Sequence, residues 1–138
     1  METPNFVLLV DSDRRLLCII AGLLQDAGYQ VAPVTSGPTA LLYLEGGAKP
    51  AFVACGLARS SAENLFGRMA VRFPGTRILL YSTTGELSAS GEAALRKKFP
   101  AVRDVLRMDP QEGMFPFVQK VQQFMAFDEE VLSTISHQ

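Results

Sequence analysis

The stretch from Asn5 to Val10 (NFVLLV) is an unbroken apolar run rather than an alternating one, as expected of a strand buried on both faces. Asp11-Ser12-Asp13 follows, side chains suited to capping a helix N-terminus. Apolar residues then recur at Leu16, Leu17, Ile20, Leu23, Leu24 and Ala27, a helical stripe that stops at Gly28. The unit reads strand, cap, helix, glycine stop.

That unit repeats along the chain. Tyr29 to Val34 predicts a second strand, and Ser36-Gly37-Pro38 opens a helix running through Leu44 to the pair Gly46-Gly47. Ala51 to Cys55 predicts a third strand, with a helix from about Ala62 to Arg72 ending before Pro74-Gly75. Arg77 to Tyr81 is the fourth strand, followed by a loop and a helix over Ser90 to Lys98. Asp104 to Arg107 is a shorter fifth strand, and the last helix carries Phe117, Val118, Val121, Phe124 and Met125 on one stripe. Two starts compete for that helix: a capping-box pattern at Asp109-Pro110-Gln111-Glu112, and Pro116.

Five strands alternating with five helices on short connections require parallel pairing, each helix serving as the crossover. The expected fold is α/β, a doubly wound five-stranded parallel sheet of order 2-1-3-4-5, occupying residues 1–127 with a polar tail or helix extension over 128–138. In such a sheet the functional crevice lies beyond the carboxyl ends of strands 1 and 3, where the winding reverses. The candidate residues are therefore Asp11, Ser12 and Asp13, then Gly56 to Arg59, Ser82 to Gly85, and Arg107 to Asp109.

Composition narrows the chemistry. With 48% hydrophobic and 20% charged residues in 138, the chain has the makings of one folded domain. A net charge of −1 gives no footprint for nucleic acid or an anionic membrane, so neither is expected as a partner. The basic residues Arg96, Lys97, Lys98 and Arg103 read as the solvated outer face of a helix. Cys18 and Cys55 both lie in apolar runs and read as buried structural thiols, and one histidine, His137, leaves little material for a zinc or redox site. The longest apolar stretch, Leu16 to Leu24, is too short for a bilayer and no signal region opens the chain, so a cytoplasmic protein is expected.

The skeleton VDSD at 10–13, GYQV at 28–31, SGPTAL at 36–41, Pro50 and Pro74 before strands, and ILLYS at 78–82 resembles the receiver domain of two-component response regulators, CheY-like (βα)5 proteins of flavodoxin-like architecture. The resemblance covers about residues 5–125 and implies a phosphorelay role. Receivers take a phosphoryl group from a histidine kinase onto an aspartate after strand 3. Acids after strand 1 and Mg²⁺ assist, and a Ser/Thr after strand 4 and a Lys after strand 5 ligate the phosphoryl oxygens. By position the acidic pair falls on Asp11 and Ser12, the acceptor on Gly56, the hydroxyl on Ser82 and the lysine on Met108, with Arg107 the alternative counterpart. Only Asp11 and Ser82 match.

The departures have direct consequences. Glycine offers no nucleophile, so Gly56 cannot be phosphorylated. Mg²⁺ wants oxygen ligands, and Asp11 stands nearly alone, so weak or absent Mg²⁺ binding is expected and no other cofactor. Asp13 reads as a helix cap rather than a cation ligand. Arg59 and Arg107 are candidate cations for the crevice, with plain surface exposure as the alternative; the aromatic switch position of strand 5 falls on Val105. Ser82, Thr83, Thr84 and Gly85 form either an anion-binding turn or a loop whose hydroxyls satisfy their own backbone. Cys55 should point away from the crevice by strand alternation, and Ser60 and Ser61 lack a base.

The expectation is therefore a pseudo-receiver, not an enzyme, acting in bacterial signal transduction by phosphorylation-independent protein–protein interaction. The resemblance suggests the face made by the fourth helix, fifth strand and fifth helix as the contact for a signalling partner or a homodimer. The alternatives are a small-ligand or anion sensor using the vacated crevice and a residual phosphoacceptor using a non-standard residue.

Overall fold

The computed structural model describes residues 6–82, 88–107 and 116–123. Five strands, β1 (Phe6–Val10), β2 (Gln30–Val34), β3 (Phe52–Cys55), β4 (Ile78–Ser82) and β5 (Val102–Arg107), form one sheet of order β2-β1-β3-β4-β5. Every pairing is parallel. The helices are α1 (Arg14–Asp26), α2 (Gly37–Glu45), α3 (Arg59–Arg72), α4 (Ala89–Lys98) and α5, helical over 116–123. The doubly wound order expected from the sequence is the one observed.

Strand alternation divides the core into two layers. Leu8, Val10, Val53, Cys55, Ile78 and Leu80 face one side, where Leu41 and Leu44 of α2, Leu65, Phe66 and Met69 of α3 and Leu95 of α4 pack on them. Val7, Leu9, Phe52, Ala54, Leu79 and Tyr81 face the other, covered by Leu17, Ile20 and Leu24 of α1 with Phe117 and Val121 of α5. Both faces of β1 and β3 are thus sealed, which is why their sequences run apolar without interruption.

Local signals place the helices. Asp13 caps α1, its Oδ1 accepting from the backbone N–H of Arg15 and Leu16 at 3.1 and 3.2 Å. Ser36 Oγ accepts from Thr39 N at 3.3 Å, with Pro38 in the first turn of α2. Ser88 Oγ accepts from Gly91 N at 3.1 Å at the start of α4. Gly28 and Gly47, with φ of +98° and +96°, take the left-handed conformation that lets the chain leave α1 and α2.

Three expectations need adjustment. Helix α3 begins at Arg59 rather than near Ala62, because Ala58 opens it without any side-chain cap and leaves no signature to read. Strand β5 starts at Val102, the buried residue opposite Ile78, two residues before the predicted Asp104. Cys18 is exposed while Cys55 is buried, since the inward stripe of α1 runs Leu17, Ile20, Ala21, Leu24 and leaves residue 18 about 100° off it. The capping-box alternative at Asp109–Glu112 and the tail 128–138 lie outside the described residues; residues 116–123 are helical.

Candidate functional site at the carboxyl end of the sheet

Ladder bonds continue past the strand ends and bring the site together. Asp11 N donates to Val34 O at 3.1 Å, and Gly56 N donates to Val10 O at 2.8 Å, so Asp11 and Gly56 sit side by side one residue beyond β1 and β3. Alternation then sets their faces. Residues 7, 9 and 11 of the first strand, 52, 54 and 56 of the third, and 79 and 81 of the fourth all project to the α1/α5 side. In the order β1-β3-β4, Gly56 stands between Asp11 and Tyr81.

Tyr81 uses that gap. Its hydroxyl donates to Asp11 Oδ2 at 2.6 Å in a buried bond. Strands β1 and β4 are not neighbours; two inter-strand spacings, about 9–10 Å, separate them. The bond spans that distance only because the intervening residue has no side chain. A Cβ on Gly56 would lie 2.5 Å from Tyr81 Cζ and 2.6 Å from Asp11 Oδ2, and closer still to Cε2. The Tyr81 ring is held from the other side by Phe117, edge to face with centroids 5.1 Å apart.

Asp11 is 3% exposed, yet both of its carboxylate oxygens are engaged. Oδ1 accepts from Asp13 N at 2.9 Å and Oδ2 from Tyr81. Burial raises its pKa above the ordinary 3.8, and the bonds from Tyr81 and the Asp13 amide oppose that rise without cancelling it. Burial, followed by the bond to Asp11, pushes the Tyr81 phenol far above its usual range, so it remains a proton donor at every accessible pH.

A cleft of about 340 Å³ opens above these residues. Asp11, Ser12, Asp13, Gly56, Arg59, Tyr81 and Ser82 line its polar part; Leu16, Leu57, Leu80 and Leu95 contribute apolar wall. Of the sequence candidates, Asp11, Ser12, Asp13, Gly56, Arg59 and Ser82 therefore converge. Arg107 is the residue opposite Ser82 in the β4–β5 register, but its guanidinium turns to Glu92, with Nη2 to Oε2 at 3.0 Å. Arg59 is largely exposed, with Glu63 Oε2 3.8 Å from its Nε. Thr83, Thr84 and Met108 lie outside the described residues. Val105, half-buried, packs against the α2/α3/α4 core layer.

The thiol next to Gly56 does not reach the crevice. Cys55 lies in the opposite core layer, and burial pushes its thiol up to about 12. The basic surface is self-satisfied in part, with Arg96 donating to the Arg103 carbonyl at 2.9 Å and Lys98 resting over the Phe99 ring.

Tyr81 is the site residue that sequence reasoning missed. It was present in the pattern as a hydroxyl inside an otherwise aliphatic strand, ILLYS, where a buried tyrosine needs a partner. Counting alternation across the order 1-3-4 would have set it beside Gly56.

No family model and no curated relative matches the chain. Solved structures do. A putative response regulator from Chloroflexus aurantiacus superposes with a TM-score of 0.68 at 26% identity, covering 90% of this chain and 99% of that one. The fold is that of a response-regulator receiver domain. The receiver TrrA of Thermotoga maritima, in complex with Mg²⁺ and BeF, matches with TM-score 0.69 at 16% identity over 87% of this chain and 98% of its own. The chemotaxis regulator CheY4 of Vibrio cholerae gives 0.68 at 20% over 88% and 99%. TrrA is also known in complex with the histidine kinase ThkA.

Receiver domains work with Mg²⁺, and the donor set here does not fit that ion. A magnesium site needs several free oxygens in near-octahedral array. Asp11 has both oxygens engaged inside the protein, Ser12 is neutral and Gly56 contributes nothing. Among the described residues no group of three or more His, Cys, Asp or Glu side chains is placed to hold a metal.

Proposed function

We propose that this chain is a receiver-like signalling module that has given up phosphoryl chemistry and acts through protein contacts. Gly56 carries the reading. It occupies the place after β3, beside Asp11, where the resemblance puts the phosphoacceptor, and it has no atom that can attack phosphorus. Around it, Ser12 stands where the resemblance puts an acid, Arg107 is paired with Glu92, and the neighbouring Cys55 is sealed in the far core layer.

The contact surface proposed is the face of α4, β5 and α5, where a signalling partner or a second copy would bind. It presents a network of charges, Arg96 and Arg107 with Glu92, and Lys120 with Asp104 at 2.9 Å. Such a surface recognises by charge pattern more than by apolar burial. The ThkA–TrrA complex supports a signalling protein as the class of partner. No helix among the described residues is long and apolar enough to cross a membrane.

The test is direct. Incubation with Mg²⁺ and acetyl phosphate should leave the intact mass unchanged, and a partner captured by the native protein should be captured equally without phosphodonor. An adduct of about 80 Da, the mass of one added phosphoryl group, would refute the reading. The cleft of about 340 Å³ favours a second reading, a small-ligand sensor, distinguished by ligand-dependent melting with no adduct.

A further inference from the structure

Gly56 and Tyr81 are not two independent features. The ring of Tyr81 lies where any side chain at 56 would begin, and its hydroxyl takes the Asp11 oxygen that a cation or a phosphoryl donor's metal would need. Phe117, fully buried, backs the ring, so it cannot retreat without disturbing the α5 contact. A glycine alone would have left an open, acid-lined hole. The tyrosine closes it.

We infer that Tyr81 is the specificity-determining residue of this crevice: an internal ligand that replaces both the missing side chain at position 56 and the divalent cation on Asp11. The inference rests on the reading of Gly56 as the vacated acceptor position. It adds that loss of the acceptor and gain of the tyrosine form one mutually dependent exchange. Reintroducing a side chain at 56 while Tyr81 remains is sterically opposed; removing the tyrosine makes room for it and frees Asp11 Oδ2.

The decisive experiment is a stability cycle with the whole chain: wild type, Gly56→Ala, Tyr81→Val and the double variant G56A/Y81V, melted by circular dichroism. Overpacking predicts that Gly56→Ala lowers the melting temperature by about 5 °C or more in the wild-type background and by less than half as much beside Tyr81→Val. In parallel, G56D/Y81V is melted with and without millimolar Mg²⁺. Its two carboxylates side by side should give a Mg²⁺-dependent rise in melting temperature, absent from wild type and from Y81V alone. The inference is overturned if Gly56→Ala costs the same in both backgrounds, if it costs nothing, or if G56D/Y81V folds and ignores Mg²⁺. Should G56D/Y81V not fold, the alanine cycle decides alone. A phosphoryl adduct on the wild-type protein would instead sink the functional reading, whatever the cycle shows.

Discussion

Replacing Tyr81 by phenylalanine removes one oxygen and keeps the ring, so it isolates the hydrogen bond across Gly56. The packing against Phe117 and the filled space above Gly56 persist. What is lost is a buried bond to a carboxylate, a class that contributes about 1.5–3 kcal/mol when the acceptor is ionised and about 0.5–1.5 when it is neutral. For a domain of this size 1 kcal/mol corresponds to roughly 3–5 °C in melting temperature. Tyr81→Phe should therefore melt about 5–15 °C below wild type at pH 8.

The pH dependence of that difference is the sharper test. Asp11 has a folded pKa above the unfolded 3.8, so between the two values the native state binds more protons than the unfolded one. The contribution of this group to stability is complete below 3.8 and declines as pH rises through the folded value. The Tyr81 bond opposes the upward shift; without it the folded pKa climbs further and the decline continues to higher pH. The gap between wild type and Tyr81→Phe should be smallest near pH 3.8 and widen as pH rises, while the wild-type curve supplies the background from every other group. A gap independent of pH between 4 and 8, or no gap, would refute the assignment of an ionised Asp11 held by Tyr81.

The remaining predictions address the frame around the site. Asp13→Ala removes the cap on Arg15 and Leu16 and should cost about 1 kcal/mol, read by urea unfolding, with no change in Mg²⁺ response. Phe117→Ala leaves a cavity behind the Tyr81 ring and should cost about 3–5 kcal/mol, and combined with Tyr81→Val the total should fall well short of the sum of the two single costs. A thiol reagent should modify Cys18 promptly and Cys55 only at the rate of global unfolding, measured by mass spectrometry with and without denaturant. Equal labelling of the two thiols in native buffer would contradict the core described here.

Much of this was legible in the chain itself, for reasons that particular residues make plain. NFVLLV has the unbroken apolar run of a strand sealed on both faces, and Asp11-Ser12-Asp13 the capping chemistry of the turn after it, so the crevice and its neighbour Gly56 followed from the winding. Helix α3 resisted because Ala58 carries no capping oxygen, and the first turn, Arg59-Ser60-Ser61, is as polar as a loop. Cys18 was misplaced because its burial was read from the apolar run around it and not from the helical stripe, which passes through Leu17, Ile20 and Leu24 and leaves residue 18 outside. Tyr81 resisted for a deeper reason. Its partner is 70 residues away and two strands distant, and a pattern along one strand records which face a residue takes but not how far its side chain reaches.

That reach also bears on how such a module can signal. A receiver that gains and loses a phosphoryl group has a chemical event to bias two conformations; here the corresponding space is filled by a side chain that the fold itself supplies, hydrogen-bonded at one end and packed at the other. On the proposed reading no covalent event shifts the balance, and a change of state comes from a partner binding one conformation more tightly than another, by as much free energy as the shift requires. The cleft residues that remain accessible, Ser12, Arg59 and Ser82, lie on the rim of that plug, whereas the charged face of α4 and β5 lies on the far side of the β4 strand from it. A partner on that face reaches the Asp11–Tyr81 bond through β4, whose last two residues are Tyr81 and Ser82, and through Phe117 on α5. Displacement of Tyr81 is thus an internal rearrangement that would couple the proposed contact face to the crevice, and a partner that leaves the Tyr81–Asp11 bond intact would use the domain as a rigid platform.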